Sequence, residues 1–253
     1  MKRLAVVLFL VLGVALPARS QDTYIFPEDP DAYDFVTANV IATFYHELGH
    51  AMIDVLALPV LGREEDAADT LSALLINDIW DEESATILTY HTADSFQLYA
   101  AEAEAGGDET AYWGEHSLDM QRYYNLVCLY YGANPDLRAD DATELQLPAD
   151  RAEGCPDEFV LAADSWGAML EGLEPGKDAM GLRLAKGLAG TDLGELLAGE
   201  IKTLNESYAL PEWVEVKVEA CGEANAFYIP QERSIIICIE YAEDLQRLWE
   251  SRG

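Results

Sequence analysis

Apolar residues in this chain recur mainly at helical spacing, and only past residue 210 do they begin to alternate with polar ones. The run from Phe35 to Tyr45 is apolar and carries no charge, which predicts a helix buried in a core, and Ala51-Met52-Ile53 continues it. Pro59 and Gly62 punctuate its end. A second helix is predicted from Arg63 to Leu75, with acids in its first turn and Ala68, Leu71 and Leu75 on one stripe. Glu82 to Ala105 predicts a long helix stopped by Gly106-Gly107, and residues 117–131 a further one ending before Gly132-Ala133-Asn134-Pro135. Residues 136–155 read as loop, 156–172 as helix, Gly172 to Gly190 as a flexible glycine-rich stretch, and Asp192 to Leu204 as a short helix. The pattern then changes. Val214, Val216 and Val218 alternate with charged residues, as in a half-buried strand. Ala226–Ile229 and Ser234–Ile239 flank Pro230-Gln231-Glu232-Arg233 as a hairpin would, and Glu243 to Trp249 closes as a helix. The expected fold is α+β and mostly α-helical, with a small antiparallel sheet or hairpin supplied by the C-terminus.

The N-terminus changes the picture of where such a fold resides. Lys2-Arg3 precedes an apolar run from Leu4 to Leu16 that is too short to span a bilayer comfortably, and Ala18-Arg19-Ser20 resembles a cleavage site. Residues 1–20 therefore read as a signal peptide, with Gln21 starting a mature chain that is exported, periplasmic or secreted. Without a cysteine at the cleavage region, no lipid or other membrane anchor is expected. Residues 21–253 suffice for a single domain with a sizeable core. The net charge of −32 becomes −35 when Lys2, Arg3 and Arg19 are removed. That excess argues against nucleic acid and anionic membrane surfaces as partners. Export makes pairing of the four cysteines plausible, and proximity favours Cys128–Cys155 and Cys221–Cys238, the second stapling the hairpin.

Chemistry concentrates at His46-Glu47-Leu48-Gly49-His50. Residues four apart share a helix face, so His46 and His50 can present two imidazoles to one zinc ion, with Glu47 beside them as general base toward a water on that ion. Two histidines and a glutamate inside an apolar helix are costly unless paired or bound to metal. The short turn after that helix returns the start of the second helix to the first. Glu65 and Asp69 share a face there, so Glu65 can be the third zinc ligand while Asp69 accepts the free ring N–H of a ligand histidine. His91 is the other candidate for the third position, without a supporting pattern; a solvated acidic helix start is the plain alternative for Glu64-Glu65-Asp66.

H-E-x-x-H followed by E-x-x-x-D resembles the gluzincins, the thermolysin- and neprilysin-like zinc peptidases, and His46, Glu47, His50, Glu65 and Asp69 match that pattern position by position. The wider strings HELGHAMIDVLALPVLGREEDAAD, YWGEHSLDMQRYYNLVCLYYG and LPADRAEGCPDEF are similar to a family of secreted bacterial proteins of unknown function regarded as metallopeptidases. The resemblance implies a zincin-like helix pair, one Zn2+, and a peptide or protein substrate.

His116 is a candidate donor to the oxyanion of a tetrahedral intermediate. Neprilysin-like enzymes carry a histidine followed six residues later by a substrate-contacting arginine, and His116 and Arg122 are similar in spacing, although Leu118 stands where those enzymes have proline. The alternative is that Ser117 or Asp119 caps a helix and His116 is incidental. Gluzincins usually place their small sheet before the metal helix. Here the sheet must come late, as if permuted, with an edge strand that binds an extended peptide or a hairpin that merely covers the helices. The expectation is an exported zinc metallopeptidase. Its rivals are a zinc-stabilised peptide-binding protein without turnover and a zinc hydrolase of a non-peptide amide.

Overall fold

The computed structural model describes residues 23–107, 109–176 and 179–252. The expected signal peptide, residues 1–20, and its cleavage site lie outside the described residues. The first helix, α1, runs Pro30–Val55, starting five residues before the uncharged run. Asp29 caps it, its carboxylate accepting the N–H of Ala32 at 2.9 Å, and Pro30 occupies the first turn, where no donor is needed. The helix is buried on nearly all sides from Phe35 to Ile53, because other elements surround it. It stops at Val55, short of Pro59: Ala57 takes a left-handed φ of 51° that turns the chain out.

The second helix, α2 (Glu64–Ile79), returns across α1 at Gly49, where an added Cβ would stand 2.9 Å from Ala68 Cα. Only glycine allows the two backbones to come this close, which is what brings the start of α2 to the histidines. Two further long helices follow, α3 (Glu82–Gly106) and α4 (Asp119–Ala133). The segment expected as loop holds two short helices, α5 (Ala139–Glu144) and α6 (Ala149–Ala152), before α7 (Cys155–Leu170). A disulfide joins Cys128 of α4 to Cys155 of α7, as proximity in sequence favoured, inside a second apolar cluster around Tyr123, Val127 and Leu129.

The sheet has four strands: β1 (Leu182–Leu184), β2 (Val214–Glu219), β3 (Ala226–Ile229) and β4 (Ser234–Cys238), in the order β1-β2-β4-β3. The β3–β4 hairpin is antiparallel as expected, but β4 pairs parallel with β2 and β2 parallel with β1, so the sheet is mixed and not antiparallel throughout. The reason is connectivity. After β2 the chain passes to the far edge, forms β3, and turns back into β4 beside β2. Between β1 and β2 runs α8 (Asp192–Ser207), a crossover of the kind parallel neighbours require. All five residues of β4 are buried, matching an uninterrupted apolar run in a strand covered by neighbours. The short β1 lies in the stretch expected to be flexible. The second disulfide, Cys221–Cys238, fastens the β2–β3 loop to the end of β4, and α9 (Ile239–Glu250) follows directly. The protein is thus α+β and mostly helical, with β3 the edge strand lying against α1.

Candidate metal centre

His46 and His50 sit one turn apart on α1, and Glu65 faces them from the first turn of α2. His46 Nε2 and His50 Nε2 are 3.1 Å apart, and Glu65 Oε2 lies 3.1 Å from the first and 3.3 Å from the second. The other ring nitrogens are both committed. His46 Nδ1 is 2.7 Å from Asp69 Oδ1, and His50 Nδ1 is 2.8 Å from Glu64 Oε1. An ionised carboxylate only accepts, so Nδ1 carries a proton in each ring, and whenever the ring is neutral, as a metal ligand must be, Nε2 is left as a lone pair. Two imidazole lone pairs and a carboxylate oxygen therefore converge on one point, an arrangement that repels itself unless a cation lies there. The separations fit a metal of zinc's size: bonds of about 2.0–2.1 Å in tetrahedral geometry put ligand atoms roughly 3.3 Å apart. The donor set fits a divalent metal.

The electrostatics follow from the same contacts. Burial works against protonating His46, but its bonds to Asp69 and Glu65 outweigh that and push it up to about 9. Burial likewise opposes protonation of His50, and Glu65 and Glu64 raise it. Glu65 is disfavoured as a carboxylate by burial, yet bonds from His116, His46 and His50 hold it well below the usual carboxylate range. Asp69 follows suit: burial raises it, and Arg122 and His46 drive it far down. These shifts describe a pocket that holds anions against a positive charge.

Glu47 is buried, and that burial raises its carboxyl above the ordinary value despite the nearby histidines. The backbone of Tyr228 on β3 lies close enough to favour its charged form slightly. The edge strand and the candidate base are therefore neighbours. The outward N–H of Ala226 is taken by Asn225 Oδ1 at 2.9 Å. A peptide added to this edge would meet the Ala226 donor already in use.

His116 reaches the centre from the loop before α4, its Nε2 2.8 Å from Glu65 Oε2 and its side chain 55% exposed. Its ring nitrogen, Glu65 and His46 lie close enough to bind one ion together. Arg122 does not reach past Asp69: Nε and Nη2 make a bidentate pair with that carboxylate at 2.8 and 2.7 Å, and the guanidinium lies over the Phe96 ring at 4.5 Å. His91 is remote, packed against Phe35 and Trp249. Sequence reasoning missed Glu64, which orients His50. It also missed Asn225 and Tyr228, which the fold returns to α1 from the far end of the chain. The signal for Glu64 was its place next to Glu65; Tyr228 contributes a backbone group and left none.

A cavity of about 520 Å³ opens on this centre, lined by His46, Glu47, Asp69, His116, Arg122 and Asn225 among others. Set against known families, the chain matches the one described as "Putative metallopeptidase" over residues 18–170 and 177–253. The chain belongs to that family. No curated protein and no solved structure matches it. Membership makes this a hydrolase of the metallopeptidase kind, which implies a metal, and among the described residues His46, Glu65 and His116 form a group that could hold one.

Proposed function

We propose that this metallopeptidase is a zinc-dependent, exported peptidase in which His46, His50 and Glu65 hold the ion and Glu47 is the general base. The observation that carries the proposal is the meeting of two imidazole lone pairs and one carboxylate oxygen beside a buried carboxylate that is not among them. Zinc held by these three residues would supply Lewis acidity, lowering the pKa of a water and polarising the scissile carbonyl. Glu47 takes a proton from the attacking water and returns it to the departing amine nitrogen; its buried carboxyl, raised above the ordinary value, has the proton affinity for both steps. His116, half exposed at the cavity mouth, donates to the developing oxyanion. Asp69 and Glu64 fix the two rings, and Arg122 is a positioning residue acting through Asp69. Export is supported by two disulfides, and no helix among the described residues is long and apolar enough to cross a membrane. Residues 1–20 are proposed as the signal peptide and the remainder as a single domain.

The test uses mature protein, Gln21 to Gly253, expressed in an oxidising compartment. It should bind about one zinc per chain and cleave members of a degenerate peptide library. Glu47→Gln should keep the zinc and lose the cleavage. Full zinc with no hydrolysis of any peptide would overturn the enzyme reading in favour of a binding protein. Cleavage confined to non-peptide amides would overturn the substrate.

A further inference from the structure

The cavity that opens on the metal centre follows one face of α4. Asp119, Arg122, Leu126 and Leu129 recur at helical spacing, share that face and all line it. Phe96 and Ile76 extend its apolar part. Its charged part is acidic apart from Arg122 and the histidines, and most of the acids already have partners. Asp69 is paired with Arg122, Glu158 with Arg151 at 2.7 Å, and Asp244 with Arg247 at 2.7 Å. Asp66 accepts the Ser117 hydroxyl at 2.7 Å, and Glu47 is the proposed base.

Asp119 is left. It has no hydrogen bond and no ion pair among the described residues. Nor does it cap its own helix: Leu118 is the cap residue, and its backbone N–H donates to Gln121 Oε1 at 3.1 Å. The side chain is half-buried, and burial raises its carboxyl above the ordinary value although Arg122 and His116 pull the other way. The positive end of α4 offsets part of the cost of keeping such a group partly out of water without a partner. A cation entering the cavity would offset the rest.

The lining limits what can carry that charge. An acidic group would be repelled by Asp119 and by a chain whose net charge is −32. An apolar group would deepen the burial of Asp119 and return no bond. The stem of a Lys or Arg side chain is at home on apolar walls while its head seeks a carboxylate. Arg122 does not oppose this, because Asp69 neutralises it.

We propose that Asp119 is a specificity-determining residue that receives a cationic nitrogen of the substrate close to the scissile bond, either a Lys or Arg side chain or the peptide's own α-ammonium group. The proposal rests on the peptidase reading above and names its substrate class.

The experiment measures binding, so it does not depend on turnover. A peptide that wild-type enzyme cleaves is varied at the two positions flanking the cleaved bond, and is made with a free or an acetylated N-terminus. Each version is titrated calorimetrically into zinc-loaded Glu47→Gln protein. Where the side chain is the source, Lys or Arg at one of the two positions should bind about tenfold tighter than Gln or Leu, with Glu weakest. A loss of about tenfold on acetylation identifies the α-ammonium group instead. Adding Asp119→Asn should abolish the preference and leave zinc content unchanged. Asp119→Lys should turn it toward Glu, and Asp119→Glu, which keeps the charge, should retain it in part. A preference for cations that survives Asp119→Asn belongs to the net charge of the whole protein and overturns the role of Asp119. So does a preference for Leu or Glu, or none at all, with Asp119 in place. Those results leave the peptidase intact. Wild-type protein that holds zinc yet neither binds nor cleaves any peptide overturns both.

Discussion

Asp69 and Arg122 form a two-bond pair, and the same Asp69 oxygen that accepts from Arg122 Nη2 at 2.7 Å also holds His46 Nδ1 at 2.7 Å. One carboxylate thereby joins α1, α2 and α4. The direction in which His46 aims its lone pair depends on a cation contributed by a helix more than fifty residues further along the chain. The α4 segment that supplies Arg122 also begins just after His116, so ring orientation and the candidate oxyanion donor are set by the same piece of backbone.

Breaking that pair should weaken metal binding without touching a ligand. Asp69→Asn keeps the shape but leaves Arg122 without its anion, and zinc affinity should fall on the order of 10- to 100-fold, as for other groups that orient metal-bound histidines. Arg122→Gln should fall in the same direction by less, since Asp69 stays in place. Competition with a chromogenic chelator reads both; an unchanged affinity in Asp69→Asn would remove Asp69 from the centre. His91→Ala, far from the histidine pair, should leave affinity alone.

Most of the centre was legible in the sequence because helices translate spacing into geometry. His46 and His50 had to share a face, and Glu65 and Asp69 had to share another, so only the α1–α2 turn was needed to join them. Gly49 was in the motif, and its small size is what lets α2 close in. What was not legible depended on tertiary routing. Parallel pairing of β2 with β4 follows from β3 taking the outer edge, and no alternation of valines encodes that. A three-residue β1 in a glycine-rich stretch has too few positions to show a period. Arg122 was expected at the substrate because of its spacing from His116, and spacing alone does not reveal that Asp69 occupies two of its donors.

Catalysis should separate two residues that both touch the centre. Glu47→Gln should hold its zinc and lose at least about 10²-fold in kcat, since the amide cannot take a proton from water. His116→Ala should keep its zinc, lose less than Glu47→Gln and retain detectable turnover, because it deletes one oxyanion donor only. If His116→Ala instead lost its zinc, His116 would be a ligand and its role would be reassigned. Atomic absorption alongside kcat distinguishes the cases.

The α1–α2 crossing gives a purely structural test. Gly49→Ala places a methyl 2.9 Å from Ala68 Cα, a backbone atom that cannot turn aside, so α2 must move. The expected loss is about 1–3 kcal/mol, the range for overpacking a close contact. Because α2 carries Glu65, zinc affinity should fall together with Tm. Gly167→Ala, with no atom within 4 Å of the added Cβ, is the control and should be neutral or slightly stabilising. Equal Tm values for the two variants would mean that the helices do not approach as closely as described.

On the opposite side of α1, stability should depend on pH through Glu200. It is buried, and its Oε2 accepts the Tyr45 hydroxyl at 2.5 Å, while that hydroxyl accepts Trp80 Nε1 at 3.1 Å. Burial raises the Glu200 carboxyl above its unfolded value, and the bond from Tyr45 offsets only part of that. The folded state therefore keeps a proton that the unfolded chain has already released. Its contribution is fully present below the unfolded carboxylate range and is lost as pH climbs through the folded value, because above it an anion must stay buried. Glu200→Gln removes the titration while keeping an oxygen for Tyr45 to donate to. The variant should match wild type near pH 4 and melt a few degrees higher by pH 8, with the gap opening between. Calorimetric scans across that range decide it, and a gap independent of pH would show that the Glu200 charge is solvated in the folded protein.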